Sequence, residues 1–290
     1  MLAPAVMATA ATRLILLGTH GGPRLNPARS NPASLLLANG MPYVIDCGHG
    51  VSRQLMAAGL SLAQVRTVLI THHHSDHNLE LGPLIYNAWI AGQREPIDIW
   101  GPPPLRQLLD DFFRSMAYDI RIRIADEGRV DPRDLVRVHE FETSGVLFEA
   151  AGLRVSTARV RHPPLMHAYA YRFDAHDRSI VLSGDTTVSP ELVTLAERAD
   201  VLVHEAMYLA GLERLLANAS HAATLRRHLL ASHTATDDVG KVAAAAQVKK
   251  LVLYHLVPGS DPSITDEMWR AGPCQEFAGE VIVGKDLQVI

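Results

Sequence analysis

The sequence predicts a single α/β domain of the α+β kind, with two β-rich halves and helices on the outside. Three observations predict it. Short apolar runs of strand length alternate with amphipathic stretches along the whole chain. No long linker or low-complexity segment interrupts them. Hydrophobic residues make up 48% of the chain, ample for a large core, and charged residues 20%, ordinary for a soluble protein.

A length of 290 residues also allows two small domains, but the unbroken alternation favours one, spanning residues 13–290. The formal net charge of −4 supplies no broad basic face for nucleic acid. Cys47 and Cys274 are the only cysteines, which excludes a disulfide framework and suits a reducing compartment. Met1–Thr12 is small and apolar with no Lys or Arg before Arg13, so it reads as a loose N-terminal extension, not a secretory signal. No apolar run approaches the roughly 18–20 residues that cross a bilayer. A cytoplasmic protein without a membrane partner is expected.

Arg13–Leu17 is a short strand, followed by the turn Gly18-Thr-His-Gly-Gly-Pro23. Its glycines match neither phosphate-binding fingerprint, so a plain turn is the better reading. Ser34–Ala38 and Tyr43–Ile45 flank Asn39-Gly40, a hairpin signal. Asp46-Cys47-Gly48-His49-Gly50 closes that hairpin, and Ser52 is expected to cap a helix running to Ala58. Thr67–Ile70 is a strand and Leu79–Trp89 helical. Ile97–Trp100 is a strand and Leu105–Ser115 an amphipathic helix. Met116–Arg137 is the least legible stretch, and its Arg121-x-Arg123 pair reads as solvated surface. Strands return at Val136–Glu140, Val146–Ala150, Leu153–Arg161, Ala168–Phe173 and Ser179–Ser183. Pro190–Ala199 is a helix, with Pro190 tolerated in its first turn. Val201–Val203 is a strand leading into His204-Glu205. Leu209–Leu230 is helical with a break near Asn218–Ser220. Thr236 is placed to cap the helix Asp237–Gln247, and Leu251–Tyr254 is a strand ending at His255. A short helix and the strands Val281–Val283 and Leu287–Ile290 close the chain.

Chemistry concentrates at Thr71–Asn78, which reads Thr-His-His-His-Ser-Asp-His-Asn. Behind the apolar run Val68-Leu69-Ile70, the spacing His72-x-His74-x-Asp76-His77 puts four potential ligands within six residues. Neutral imidazole and carboxylate oxygen suit first-row metals, zinc in particular. Metal-type residues recur where other strands end: His162, Asp185 and His255. Strand ends along one sheet edge converge in space while remaining distant in sequence.

His72-x-His74-x-Asp76-His77 resembles the signature of the metallo-β-lactamase superfamily. The resemblance implies a four-layer αββα sandwich with a metal site along one edge. It assigns one metal to His72, His74 and His162 and a second to Asp76, His77 and His255, with Asp185 bridging. His167 competes with His162, which is preferred because it directly ends a strand. His73 is expected to point away. Asp185 stands where the superfamily's β-lactamases place Cys, and His74 where its redox di-iron branch places Glu, so neither activity is expected. Asp46 and His204 are expected to stand behind the ligands, and His20, His49, His139 and His176 to be ordinary polar or surface residues.

His204-Glu205-Ala206, Ser232-His233-Thr234 and Leu-Val-Leu-Tyr-His255 resemble the C-terminal half of ribonuclease Z. By that likeness His233 donates a proton to the leaving group and Glu205 orients it, with Asp76 the third catalytic residue; capping of the Ala-rich helix is the other reading of His233. Ribonuclease Z proteins carry a tRNA-binding arm where this chain has only Asp174–Arg178. The resemblance therefore leans to arylsulfatase-like and small phosphodiesterase-like members. It implies two zinc ions, with Mn or Fe open, and a metal-bound hydroxide that cleaves a phosphodiester or sulfate ester. A small-molecule ester is expected as substrate in place of nucleic acid, and a homodimer is left open. A carboxylic ester, lactone or thioester hydrolase is the alternative within enzymes, and a metal-binding accessory protein without turnover the alternative outside them.

Overall fold

Leu14 and Leu16 face one way along their strand and Ile15 and Leu17 the other, and all four are buried. A strand covered on both faces needs such a continuous apolar run, and this requirement sets the layers of the molecule. The computed structural model describes residues 11–217 and 219–290. Its first sheet contains β1 (Arg13–Gly18), β2 (Ala33–Ala38), β3 (Met41–Ile45), β4 (Thr67–Leu69), β5 (Ile97–Gly101) and β6 (Val136–Glu140), side by side in that order. Its second contains β7 (Gly145–Ala150), β8 (Leu153–Arg159), β9 (Tyr169–Asp174), β10 (Ser179–Leu182), β11 (Val201–Met207), β12 (Lys250–Val257) and β13 (Glu280–Val283). The last strand, β14 (Gln288–Val289), returns to the first sheet and pairs antiparallel with β1.

Between the sheets, Leu14, Leu16, Leu36, Ile45 and Leu69 meet Tyr171, Phe173, Val203 and Val252. Each such buried side chain contributes about 1.5–3 kcal/mol. Helices Val51–Ala57, Leu81–Ile90 and Leu105–Ser115 cover the outer face of the first sheet. Pro190–Leu195, Thr236–Ala245 and Asp266–Ala271 cover that of the second. The expected αββα sandwich is what forms. Both sheets are part antiparallel and part parallel: β3 to β6 run parallel in the first, β10 to β13 in the second. Asp46, the His72–His77 loop and Asp185 therefore follow the carboxyl ends of β3, β4 and β10 in the parallel parts of the sheets, whereas His162 follows β8, which is antiparallel to both its neighbours.

Several local expectations need correcting. Ser52 lies inside its helix; the N-cap is Gly50, at φ 95°, a backbone state that glycine reaches without strain. Thr236 is likewise helical, and Ala235 precedes it without a side-chain cap. Ala117–Glu127 is a helix although Ile120, Ile122 and Ile124 alternate like a strand. Arg123 pairs there with Asp119 and Glu127, one turn away on either side, and Gly128 ends the helix at φ 64°. β11 continues through Met207, so His204 and Glu205 belong to the strand. Helices Leu212–Leu216 and Ala222–Ser232 flank the expected break; Asn218 lies outside the described residues. Of the proposed loose extension, residues 1–10 also lie outside them, while Thr12 is buried and bonded through N and Oγ1 to Asp177. No helix among the described residues is long and apolar enough to cross a membrane.

Candidate metal centre

β4 delivers Ile70 and Thr71 to the sheet edge, and one helical turn, Ser75–Asn78, then buries Asp76 and His77. Asp46, at the end of β3, fixes this loop. It accepts from Thr71 N at 2.8 Å, from Thr71 Oγ1 at 2.9 Å and from His77 Nδ1 at 2.8 Å. With its hydroxyl hydrogen turned to Asp46, Thr71 Oγ1 accepts from His72 Nδ1 at 3.0 Å. His162 Nδ1 donates to the Ser232 carbonyl at 2.8 Å. Each of these three rings, when neutral, thus has its Nδ1 proton fixed and an Nε2 lone pair turned inward.

Gly184, at φ 58°, makes the bend that presents Asp185; a Cβ there would lie 2.8 Å from the Tyr169 carbonyl. His255 is reached differently. It sits inside β12 at φ 45°, as the extra residue of a bulge: Tyr254 pairs with Glu205 and Leu256 with Ala206. The bulge re-aims its ring from the strand's pleat toward the site.

Two clusters share Asp185: His72, His74, His162 and Asp185 form one, and Asp76, His77, Asp185 and His255 the other. A third group, Glu205, His233 and His255, overlaps the second at His255, and within each the ligand atoms lie within 4.8 Å of one another. Asp185 spans both, 3.1 Å from His255 Nε2, 3.3 Å from His77 Nε2, and 3.9 Å from Nε2 of His72 and His162. His74 Nδ1 lies 3.2 Å from His72 Nε2 and 3.0 Å from His162 Nε2. A proton on His74 satisfies at most one of these contacts, whereas a cation satisfies all three nitrogens. His77 Nε2 and Asp185 Oδ1 are buried with no hydrogen-bond partner among the described residues.

Electrostatics agree. Burial, then the neighbouring His77, holds His72 well below its ordinary range; burial and His162 hold His74 at about 4. Burial opposes charge on His255 as well, but Asp185 overrides it and raises that ring to about 10. Burial would likewise raise Asp76, yet His77 and His255 hold it at about 2. One cluster refuses protons while offering lone pairs, and the other demands positive charge. Both conditions suit divalent cations bound by nitrogen and carboxylate.

A histidine–glutamate pair, His233 and Glu205, stands beside these clusters. Glu205 Oε1 accepts from His233 Nδ1 at 3.2 Å, from Thr234 N at 3.0 Å and from Thr186 N at 3.3 Å. His233 Nε2 is thereby left for the site. Burial opposes a proton on His233, but Glu205 raises its affinity above the ordinary value. His233 does not cap the following helix, whose N-cap is Ala235.

Other expected residues sort by position. His162 joins the first cluster; His167 lies instead against Tyr169 and Glu142. His73 turns away, donating from Nε2 to the Pro102 carbonyl at 2.7 Å. His204 was expected behind the ligands, but its ring bonds the Glu205 carbonyl. Strand alternation puts it on the helix-covered face with Leu202 and Ala206. His20 is not a surface residue: it is 4% exposed, and the turn it shares with Gly21 and Gly22 walls the site, where Gly22 N donates to Asp76 at 3.1 Å. Arg123 is tied to acidic neighbours on its own helix.

A cavity of about 380 Å³ opens over the clusters and His233, with Leu215, Leu225, Leu229 and Val257 on its apolar side. His228 also lines it, a position the sequence pattern does not single out. Helical spacing from Leu225 and Ser232 was the available signal, obscured because Leu209–Leu230 had no firm boundaries. Asp46→Ala should lower metal affinity about 10- to 100-fold by freeing the His77 ring. Chelator competition measures this, and unchanged affinity would show that Asp46 does not orient the ligand.

A family model described as Anti-Pycsar protein Apyc1 matches residues 12–227. Ribonuclease Z of Mycobacterium bovis (strain BCG / Pasteur 1173P2) is 31% identical over 277 residues, covering 94% of this chain and 96% of that protein. Ribonuclease Z of Mycobacterium avium (strain 104) is 33% identical over 279 residues, covering 94% and 95%. Among solved structures, the metallo-β-lactamase fold protein YhfI from Bacillus subtilis superposes with a TM-score of 0.72 at 20% identity, covering 96% of this chain and 98% of that one. Human tRNase Z, short form, does so with a TM-score of 0.69 at 24% identity, covering 96% and 98%. These two structural likenesses are likenesses of fold.

Proposed function

This chain belongs to the Apyc1 family and to the ribonuclease Z-like branch of the metallo-β-lactamase superfamily, and from that membership we propose that it hydrolyses a phosphodiester at a two-metal centre. The carrying observation is the pair of ligand clusters joined by Asp185, with a Glu205-held imidazole on the same cavity. His72, His74 and His162 would hold one cation and Asp76, His77 and His255 the other, with Asp185 shared. Zinc suits this nitrogen-rich donor set. Bound cations of this kind lower the pKa of water toward about 7 and neutralise charge on phosphoryl oxygens.

The protein's own groups supply the rest. Asp185 holds the two ligand sets in register and, with Asp76, supplies the negative charge that bound cations would balance. His233 donates its Nε2 proton to the departing alcohol oxygen, and Glu205 keeps Nδ1 protonated so that the ring turns the correct edge to the site. The apolar side formed by Leu215, Leu225 and Leu229 excludes water from the leaving group.

A small phosphodiester fits the cavity volume and the absence of net basic charge. An RNA 3′ end is the second reading, favoured by the relatives named ribonuclease Z. β9 and β10 are joined by a tight turn in which Ala175 N donates to the Arg178 carbonyl at 3.0 Å, leaving no arm. The Mycobacterium bovis relative is matched over 96% of its length, so length gives no reason to set the two proteins apart.

Elemental analysis of protein purified without chelator, with turnover of bis(p-nitrophenyl) phosphate, p-nitrophenyl sulfate, a lactone and a precursor tRNA, tests the proposal. About two metals per chain and chelator-sensitive cleavage of the phosphodiester are expected. Preference for the precursor tRNA would establish the second reading. Metal-loaded protein that cleaves only the sulfate or the lactone would overturn the phosphodiester assignment.

A further inference from the structure

His228 belongs to neither ligand cluster and not to the Glu205 pair, yet it overlooks all three. Its ring centre lies 6.3 Å from that of His74, 6.4 Å from His162 and 6.2 Å from His233. An ester positioned between the ligands and the proton donor must lie beneath this ring. The ring is also held in one orientation. It stands one helical turn before Ser232, and its Nδ1 lies 3.3 Å from Ser232 Oγ. Ser232 Oγ in turn bonds the Pro163 carbonyl.

The polarity of this chain of bonds follows from its end. A carbonyl can only accept, so the single hydroxyl hydrogen of Ser232 goes to Pro163. Ser232 Oγ then has only lone pairs for His228, and Nδ1 must carry the imidazole hydrogen. The neutral ring is left with a bare lone pair at Nε2. That atom has no protein partner among the described residues and is not among the buried polar atoms lacking one, so it opens to the cavity that His228 lines. A lone pair repels phosphoryl oxygen and attracts a hydroxyl.

We infer that His228 is a specificity-determining residue whose Nε2 accepts a hydrogen bond from a hydroxyl carried on the substrate a few ångström from the scissile ester. The inference rests on the two-metal hydrolase reading and narrows its substrate to esters of polyhydroxylated alcohols. Leu225 and Leu229, on the same helix, then receive the apolar part of that substrate. Ser232 is a positioning residue in this scheme, acting only through the tautomer of His228.

The test uses the metal-loaded protein and two probes differing only in sugar hydroxyls, adenosine 5′-monophosphate and its 2′,3′-dideoxy analogue, with binding followed by calorimetry. Wild type should bind the hydroxylated probe about tenfold more tightly, the share of one well-made hydrogen bond. His228→Leu should bring the ratio close to one while leaving affinity for the dideoxy probe intact. His228→Gln, which offers a carbonyl acceptor, should restore part of it. Ser232→Ala should reduce the ratio by releasing the tautomer. Equal affinity of wild type for the two probes, no binding of either, or a parallel loss for both in His228→Leu would overturn the inference; the last would mean a contact to phosphate. Failure of the hydrolase reading is distinguishable, because it appears as wild-type protein that turns over no ester while the probe ratio persists.

Discussion

Asp185→Ala is expected to lower the metal content from about two per chain to one or fewer and to reduce kcat/KM by more than about a thousandfold. Among the described residues, Asp185 supplies the one carboxylate common to both ligand clusters. Without it, the first site retains three neutral nitrogens, and the second loses the oxygens 3.3 Å from His77 and 3.1 Å from His255. Mutual repulsion of two cations at close range is then opposed only by Asp76 and by Asp46 behind His77. A loss of several kcal/mol of charge stabilisation follows, each 1.4 kcal/mol being a factor of ten. Asp185→Asn keeps the shape and removes the charge, so it separates electrostatics from packing and should resemble the alanine variant. Elemental analysis, with circular dichroism to confirm the fold, decides the matter. Retention of two metals by either variant would remove Asp185 from its bridging position.

How much of this was legible before the structure depends on how local each feature is. His72, His74, Asp76 and His77 fall within six residues after a buried strand, so their convergence is written into one turn. His162 and Asp185 are distant in sequence, yet each follows a strand, and β8 and β10, both antiparallel to β9 between them, run the same way and end on a common edge. His255 follows an apolar run, as a strand-end ligand would. It does not end its strand; it is the bulged residue within β12, and a bulge leaves no mark in an apolar run such as Leu-Val-Leu-Tyr-His-Leu-Val. The sheet layers were readable because strands buried on both faces must be apolar throughout. The helix Ala117–Glu127 was not, because its isoleucines alternate with charged residues while its helical support comes from Arg123, Asp119 and Glu127. His20 reads as an ordinary polar or surface residue and His228 is not singled out by the sequence pattern, because each occupies a segment that walls a cavity. Such a role follows from where distant elements pack, and no local spacing encodes it.

His233→Ala should lower kcat by roughly 10²- to 10⁴-fold while leaving the metal content unchanged. His233 is outside the two clusters joined by Asp185, and in the third group its Nδ1 is committed to Glu205, so filling the two Asp185-linked clusters does not require it. What the variant loses is a proton at Nε2, and the cost of that loss depends on the leaving group. A p-nitrophenolate departs readily without protonation, whereas an alkoxide does not. The defect should therefore be small with bis(p-nitrophenyl) phosphate and large with an alkyl phosphodiester. A merely structural role for the ring would depress both rates alike. Glu205→Gln should show the same dependence on leaving group in weaker form. Its amide oxygen can still accept from His233, but the charge that favours the protonated ring is gone. The amide must also keep Thr186 N and Thr234 N satisfied, so some loss of stability should accompany the kinetic change. If His233→Ala cleaved alkyl and aryl esters with the same proportional defect, proton donation would be ruled out, and His233 would be left as a packing neighbour of His255, with ring centres 5.5 Å apart.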